Sequence, residues 1–179
     1  MNQKPRTKNG FTLVELVVII GIIGFMSAFV ILGQNQGQDQ RKIILEVRRL
    51  VQDIRKAQNF TISSTTYDCG GLKVVPFGII LYKETPHRYI LVADCDGSRT
   101  YDSSVDRTVS SYTFTVSEIN TLSPPPNPMQ IFFVSPNPDI YVNNSVITNT
   151  IITITVCGTK RSLSCRNVQL TSGGAVSVQ

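Results

Sequence analysis

The stretch "KNGFTLVELVVIIGIIGFMSAFVIL", residues 8–32, decides how the rest of the chain is read. From Phe11 to Leu32 it holds 22 residues and a single charge, Glu15. A helix rises about 1.5 Å per residue, so the run can cross the ~30 Å hydrocarbon layer of a bilayer. Lys4, Arg6 and Lys8 precede it with no acid among them. Basic residues ahead of an apolar segment hold that side in the cytoplasm and send the remainder of the chain across the membrane. Without residues 1–10 the net charge falls from +5 to +2, so the basic balance says little about the globular part.

An ordinary secretory signal has an apolar core of roughly 7–15 residues and a small-x-small cleavage site. This run is longer, and its end, "FMSAFVILG", offers no such pair. A plain signal anchor explains the length and the basic flank but not Glu15. A carboxylate at the centre of a spanning helix costs about 2.5–3.5 kcal/mol on insertion scales, and less near the interface.

The order Gly10, Phe11, Thr12, Leu13, Val14, Glu15, Leu16 after a short basic leader resembles the class III signal of type IV pilins and type II secretion pseudopilins. The resemblance implies that a prepilin peptidase cuts after Gly10 and that the new terminal residue, Phe11, is N-methylated. It implies that Glu15 acts in assembly, meeting the terminal amine of a neighbouring subunit; its own chain's amine is the other available partner. Two ions in lipid attract strongly when paired. Gly21 and Gly24 lie one turn apart and suit close helix packing in lipid, and the resemblance implies a local unwinding of the helix in this region, at Gly24.

Residues 33–37, "GQNQG", suit the exit from the membrane. Beyond them Ile43, Ile44, Val47, Leu50, Val51, Ile54 and Ala57 follow the 3.6-residue helical period. They predict an amphipathic helix, continuous with the apolar run, whose stripe packs on the C-terminal domain. The other face carries Arg41, Lys42, Arg48, Arg49, Arg55 and Lys56. It reads as a solvated face, partly neutralised by Glu46 with Arg49 and Asp53 with Lys56 at three-residue spacing. Contact with nucleic acid, anionic headgroups or acidic patches on neighbouring subunits is the alternative.

After Phe60, short runs rich in Val, Ile, Tyr, Phe and Thr alternate with turn residues. Strands are expected at 72–82, 88–94, 108–116, 129–134, 146–156, 166–171 and 175–178, with "PPPNP" (124–128) and "SPNPD" (135–139) as loops. The expected fold is α+β: a long N-terminal helix packed on an antiparallel β-sheet domain. The expected divisions are a leader at 1–10, a transmembrane helix at 11–32, its amphipathic continuation at 33–59 and an extracytoplasmic head at 60–179.

This order resembles the pilin fold. The arrangement "PFGIILY…RYILVADCDGSRTYD" with a closing pair around "RNVQLTSGGAVSV" is most similar to the GspH/FimT branch of minor pilins and pseudopilins. Some members of that branch bind DNA through basic residues near the C-terminus. Here nothing after Arg166 is basic, and only Lys160, Arg161 and Arg166 form a small cluster, so DNA is a weakly supported partner. The implied partners are the peptidase, other pilin or pseudopilin subunits and inner-membrane lipid.

Cysteines outside the cytoplasm oxidise, and four of them allow three pairings. Cys69–Cys95 and Cys157–Cys165 are the expected bonds. No C-x-x-C spacing suggests zinc. Asp94, Asp96 and Asp102 in "DCDGSRTYD" carry oxygen ligands of the kind Ca²⁺ takes. They lack the full D-x-D-x-D-G…E pattern, so a turn is the better reading and no metal is expected. No acid–base or nucleophilic set can be built around His87, the sole histidine, so no enzyme and no cofactor are expected. The function expected is that of a structural filament subunit. A DNA- or ligand-binding tip subunit, or an unrelated single-pass anchored β domain, is the alternative.

Overall fold

The computed structural model describes residues 11–125, 127–135, 139–159 and 164–179, the side chains of 29–37 excepted. The chain is α+β, with one N-terminal helix, α1 (Leu13–Ile62), followed by antiparallel strands. It divides into two compact units between Gln38 and Asp39.

In the second unit the apolar stripe of α1 forms part of the core. Ile43, Val47, Leu50, Val51, Ile54 and Ala57 are buried, while Ile44 sits half-exposed at the edge of the stripe. Each fully buried aliphatic side chain contributes about 1.5–3 kcal/mol. The helix ends three residues beyond the expected Asn59. Ser64 takes a left-handed φ of 50°, the Thr65 N–H bonds the Phe60 carbonyl at 2.9 Å and the Ser64 N–H bonds the Thr61 carbonyl at 3.1 Å. These are the two closing bonds of a Schellman motif, here with serine in the place usually held by glycine.

Among the described residues the antiparallel β-sheet domain expected from sequence is divided into three sheets. A six-stranded sheet runs in the order β5 (Arg107–Thr113), β4 (Arg88–Ala93), β3 (Phe77–Tyr82), β7 (Met129–Val134), β8 (Asp139–Val142), β9 (Ser145–Val146). A four-stranded sheet runs β12 (Val176–Val178), β11 (Cys165–Thr171), β10 (Ile151–Gly158), β6 (Ser117–Ser123). β1 (Thr66–Asp68) and β2 (Leu72–Val74) make a small separate pair. The expected strand at 72–82 is broken between β2 and β3 at Pro76, which has no N–H for the ladder. That at 146–156 is broken before Ile151, where Asn149 takes a left-handed φ of 55°.

Helix and both larger sheets share one core. Phe77, Ile79, Leu81, Tyr89, Leu91, Ile131 and Phe133 face α1 from the six-stranded sheet, and Ile152, Ile154, Val156, Val168 and Leu170 face it from the four-stranded one. The alternate residues Ile80, Ile90, Val92 and Phe132 make a second cluster on the outer face of the six-stranded sheet. Tyr82, Tyr101 and Tyr141 pack against that outer cluster. Tyr101 comes from the 94–106 segment, whose place over this face is fixed by a bond from the Tyr101 N–H to Gln130 Oε1 at 2.8 Å.

Gly78 lies in β3 directly opposite Phe132. A Cβ there would fall 2.6 Å from Phe132 Cδ1 and 2.7 Å from the Ile131 carbonyl oxygen. The ring could rotate, but the backbone oxygen of a central strand has nowhere to go. Gly78→Ala should therefore cost about 2 kcal/mol through overpacking. Chemical denaturation followed by the tyrosine signal would read this as a lower midpoint at unchanged slope; a shift under about 0.5 kcal/mol would show that the sheet can breathe here.

Candidate functional site

The first candidate is the start of α1. Thr12 stands just before the helix, and its Oγ1 accepts the N–H of Glu15 at 3.2 Å. This is half of a capping box, T-x-x-E, in which the residue before the helix satisfies an orphan donor three positions on. The signal was present in the sequence at Thr12-Leu13-Val14-Glu15 and gives Glu15 a local role besides the expected one. Its carboxylate also lies at the positive end of the helix dipole. Gly10, the expected cleavage residue, lies outside the described residues.

Every large apolar side chain from Phe11 to Met26 is exposed. Cβ atoms added at Gly21 and Gly24 would meet nothing within 4 Å. So contiguous an apolar surface is not the surface of a soluble monomer and marks contact with lipid or with other proteins. Among the described residues no helix is long and apolar enough to cross a membrane. Residues 29–32 of the apolar run lie among the side chains that are not described.

Residues 5–31 match the family model described as the prokaryotic N-terminal methylation motif. The chain carries the signal of a prepilin-like precursor. Processing by a prepilin peptidase and assembly with other pilins follow from that signal. No curated protein and no solved structure matches the chain. The matched segment ends well before the β strands, so the motif speaks for the start of the chain and leaves the head to its own chemistry.

In the head, the acids of α1 do not make the ion pairs expected from their spacing. Glu46 is only 4% exposed. Its Oε1 accepts the Thr115 N–H at 2.8 Å, the Thr115 hydroxyl at 2.7 Å and the Tyr112 hydroxyl at 3.2 Å, and its Oε2 accepts the Ser117 hydroxyl. Burial alone would raise this carboxyl, but the bonds from Ser117, Thr115 and Tyr112 together hold it below the usual glutamate range. Asp53 Oδ2 accepts the Tyr89 hydroxyl at 2.6 Å. Burial, and then the Asp53 carboxylate, push the Tyr89 hydroxyl well above its ordinary value. Arg49 lies over the Tyr112 ring at 4.4 Å, and Lys56 lies 5.4 Å from the Phe60 ring centre. The pairs Glu46–Arg49 and Asp53–Lys56 are thus replaced by bonds to the sheets. Tertiary donors in a drier setting outcompete exposed i,i+3 partners, which are worth only a few tenths of a kcal/mol.

Both disulfides join the expected partners. Cys69–Cys95 ties the β1–β2 region to the 94–106 segment, and Cys157–Cys165 links directly paired residues of β10 and β11. Lys160 and Arg161 of the expected basic cluster lie outside the described residues; Arg166 is half-exposed on β11.

The 94–106 segment is built from turns. Asp94 Oδ1 accepts the Gly97 N–H at 2.7 Å and the Ser98 N–H at 3.2 Å, while its Oδ2 accepts the Arg99 N–H at 2.9 Å. Asp106 accepts the Cys95 and Asp102 N–H groups at 2.9 and 2.8 Å. The carboxylates of Asp94, Asp96 and Asp106 lie within 4.8 Å of one another. Asp106 thus takes the place expected for Asp102, because the segment folds back on itself and returns at 106. Burial foremost, with the neighbouring Asp96 and Asp106, pushes the Asp94 carboxyl up to about 6. Asp96 and Asp102 are exposed and are held low by bonds from Ser98 and Ser104 respectively. His87 Nε2 lies 3.8 Å from Glu118 Oε2.

Proposed function

We propose that this chain is a structural, non-catalytic subunit of a type IV pilus or a type II secretion pseudopilus, of the minor-pilin kind. The observation that carries the reading is the methylation motif at residues 5–31, joined to an apolar helix face that is exposed from Phe11 to Met26. In this reading the peptidase cuts after Gly10 and Phe11 is methylated. Residues 11–32 then anchor the subunit in the inner membrane with its N-terminal side cytoplasmic, and residues 33–59 continue the helix into the extracytoplasmic head at 60–179. Assembly exchanges lipid contacts of the apolar face for contacts with other subunits' helices, a change that close packing at Gly21 and Gly24 favours. Disulfides in the head agree with an oxidising compartment.

Mass spectrometry of the chain purified from its membrane or filament tests this directly. The expected mature protein begins at Phe11 and carries one methyl group on its terminal amine. A chain that keeps residues 1–10, or begins elsewhere, would overturn the reading.

A further inference from the structure

The bonds of Glu46 and Asp53 to the sheets leave α1 with a one-sided charge. Both acids turn toward the head, and the surface facing away from the core keeps the cations. Arg41, Lys42, Arg48 and Arg49 are all exposed and surround Leu45, itself 61% exposed, at spacings of three and four residues. Arg41 and Arg48 make no ion pair among the described residues; Lys42 reaches Asp39 at 4.0 Å. An exposed leucine framed by four cations has the make-up of an interface: an apolar centre with a charged rim.

The head carries the complementary surface. Segment 94–106 holds four carboxylates against one cation, Arg99, and that guanidinium lies 4.3 Å over the Tyr141 ring. Asp96 and Asp102 are exposed, and Val105, 41% exposed, stands beside Asp102, whose carbonyl accepts its N–H at 3.1 Å. The segment packs on the outer face of the six-stranded sheet, whereas α1 packs on the inner face. The two surfaces of one chain therefore face apart and cannot neutralise each other.

We propose that the outward face of α1 around Leu45 is the docking surface for the 94–106 segment of a second copy of this chain, with Leu45 against Val105 and the arginines against Asp96 and Asp102. Opposite patches on opposite sides give a heterologous, head-to-tail contact, which propagates rather than closing as a two-fold dimer. This contact belongs to the filament subunit proposed above and rests on that reading for its setting. Lipid and nucleic acid fit less well: the acidic partner is present on the chain itself, and residues 60–179 hold eight basic and eight acidic residues.

A charge exchange on the full-length chain tests it. In detergent micelles at low salt, sedimentation should show self-association of the wild type that weakens as salt rises. The variant R41E/R48E should weaken it about tenfold or more, as should D96K/D102K, since attractive pairs become repulsive. The milder D96N/D102N, which keeps the turn acceptors, should weaken it less. Neither charge-reversed variant should associate alone, yet the two mixed should associate, because the acidic helix of one meets the basic segment of the other and the converse pair is native. Unchanged association in either variant would overturn the proposal, and so would failure of the mixture. Loss of binding of R41E/R48E to phosphatidylglycerol vesicles with self-association intact would assign the face to lipid and overturn it as well. The mass of the N-terminus is read separately, so a chain that starts at methylated Phe11 but ignores these exchanges would sink this contact and leave the subunit reading standing.

Discussion

Replacing Glu15 with leucine should leave the precursor inserted and cut, and should nearly abolish its entry into filaments. The two proposed roles of this residue separate cleanly by substitution. As a capping partner it needs only the backbone N–H that Thr12 Oγ1 accepts at 3.2 Å, and that bond survives any side chain. As an assembly residue it needs the negative charge that meets a terminal amine. Glu15→Gln keeps the polar shape and the T-x-x-Q form of the cap but loses the charge. Leaving the amine of a neighbour unpaired in lipid costs about 3–5 kcal/mol, a factor of more than about 100 in association. Filament yield from cells should therefore fall alike with Gln and Leu, while membrane insertion improves slightly with Leu because a buried carboxylate is gone. Thr12→Ala, which removes the cap, should cost no more than about 1 kcal/mol of helix stability. If Glu15→Gln assembles normally and Thr12→Ala does not, the cap is the function and the amine contact is wrong.

The features legible in sequence were those written in neighbouring residues. The apolar run, its basic flank and Glu15 are a local pattern, and so is the stripe from Ile43 to Ala57, which is buried at all but Ile44. The breaks were less visible although the rule was available. Pro76 splits the expected 72–82 strand for the reason that placed the "PPPNP" run in a loop. β6, "SEINTLS", escaped because only Ile119 and Leu122 mark it as a strand, and the partner that makes it one, β10, lies far along the chain. Long-range pairing of this kind sets which strands share a sheet, and a single sequence carries little trace of it. The acidic cluster was half legible. Asp94 and Asp96 are close in sequence, but Asp106 joins them only after the chain has turned through Tyr101 and Asp102. Spacing on the helix suggested Arg49 and Lys56 as partners for its acids. The geometry gives those acids to hydroxyls of the sheets and their loops instead, and that reversal is what leaves the outer face of the helix basic.

Glu46 is where this reversal can be measured. Glu46→Ala should destabilise the head by about 3 kcal/mol, as much as a core truncation of similar size. The reason is asymmetric. The acid accepts bonds from Ser117, Thr115 and Tyr112, and without it the hydroxyl of Ser117, 2% exposed, is left buried with no acceptor. A buried donor stripped of its partner costs about 1–3 kcal/mol by itself. The pH dependence gives a second reading of the same contact. Because the folded carboxyl is held below its unfolded value, its contribution is complete above the ordinary glutamate pKa of about 4.3 and is lost as the pH falls below it. The wild-type denaturation midpoint should fall on that acid side, and Glu46→Ala should be the weaker protein at neutral pH with a flatter acid limb. Glu46→Gln retains one acceptor oxygen but sets an amide against hydroxyl donors, so it should lie between the two at neutral pH and share the flat limb. A variant within about 1 kcal/mol of wild type at neutral pH would mean that water replaces the carboxylate. The helix would then be held to the sheets by its apolar stripe and by the Asp53–Tyr89 bond, without the help of Glu46.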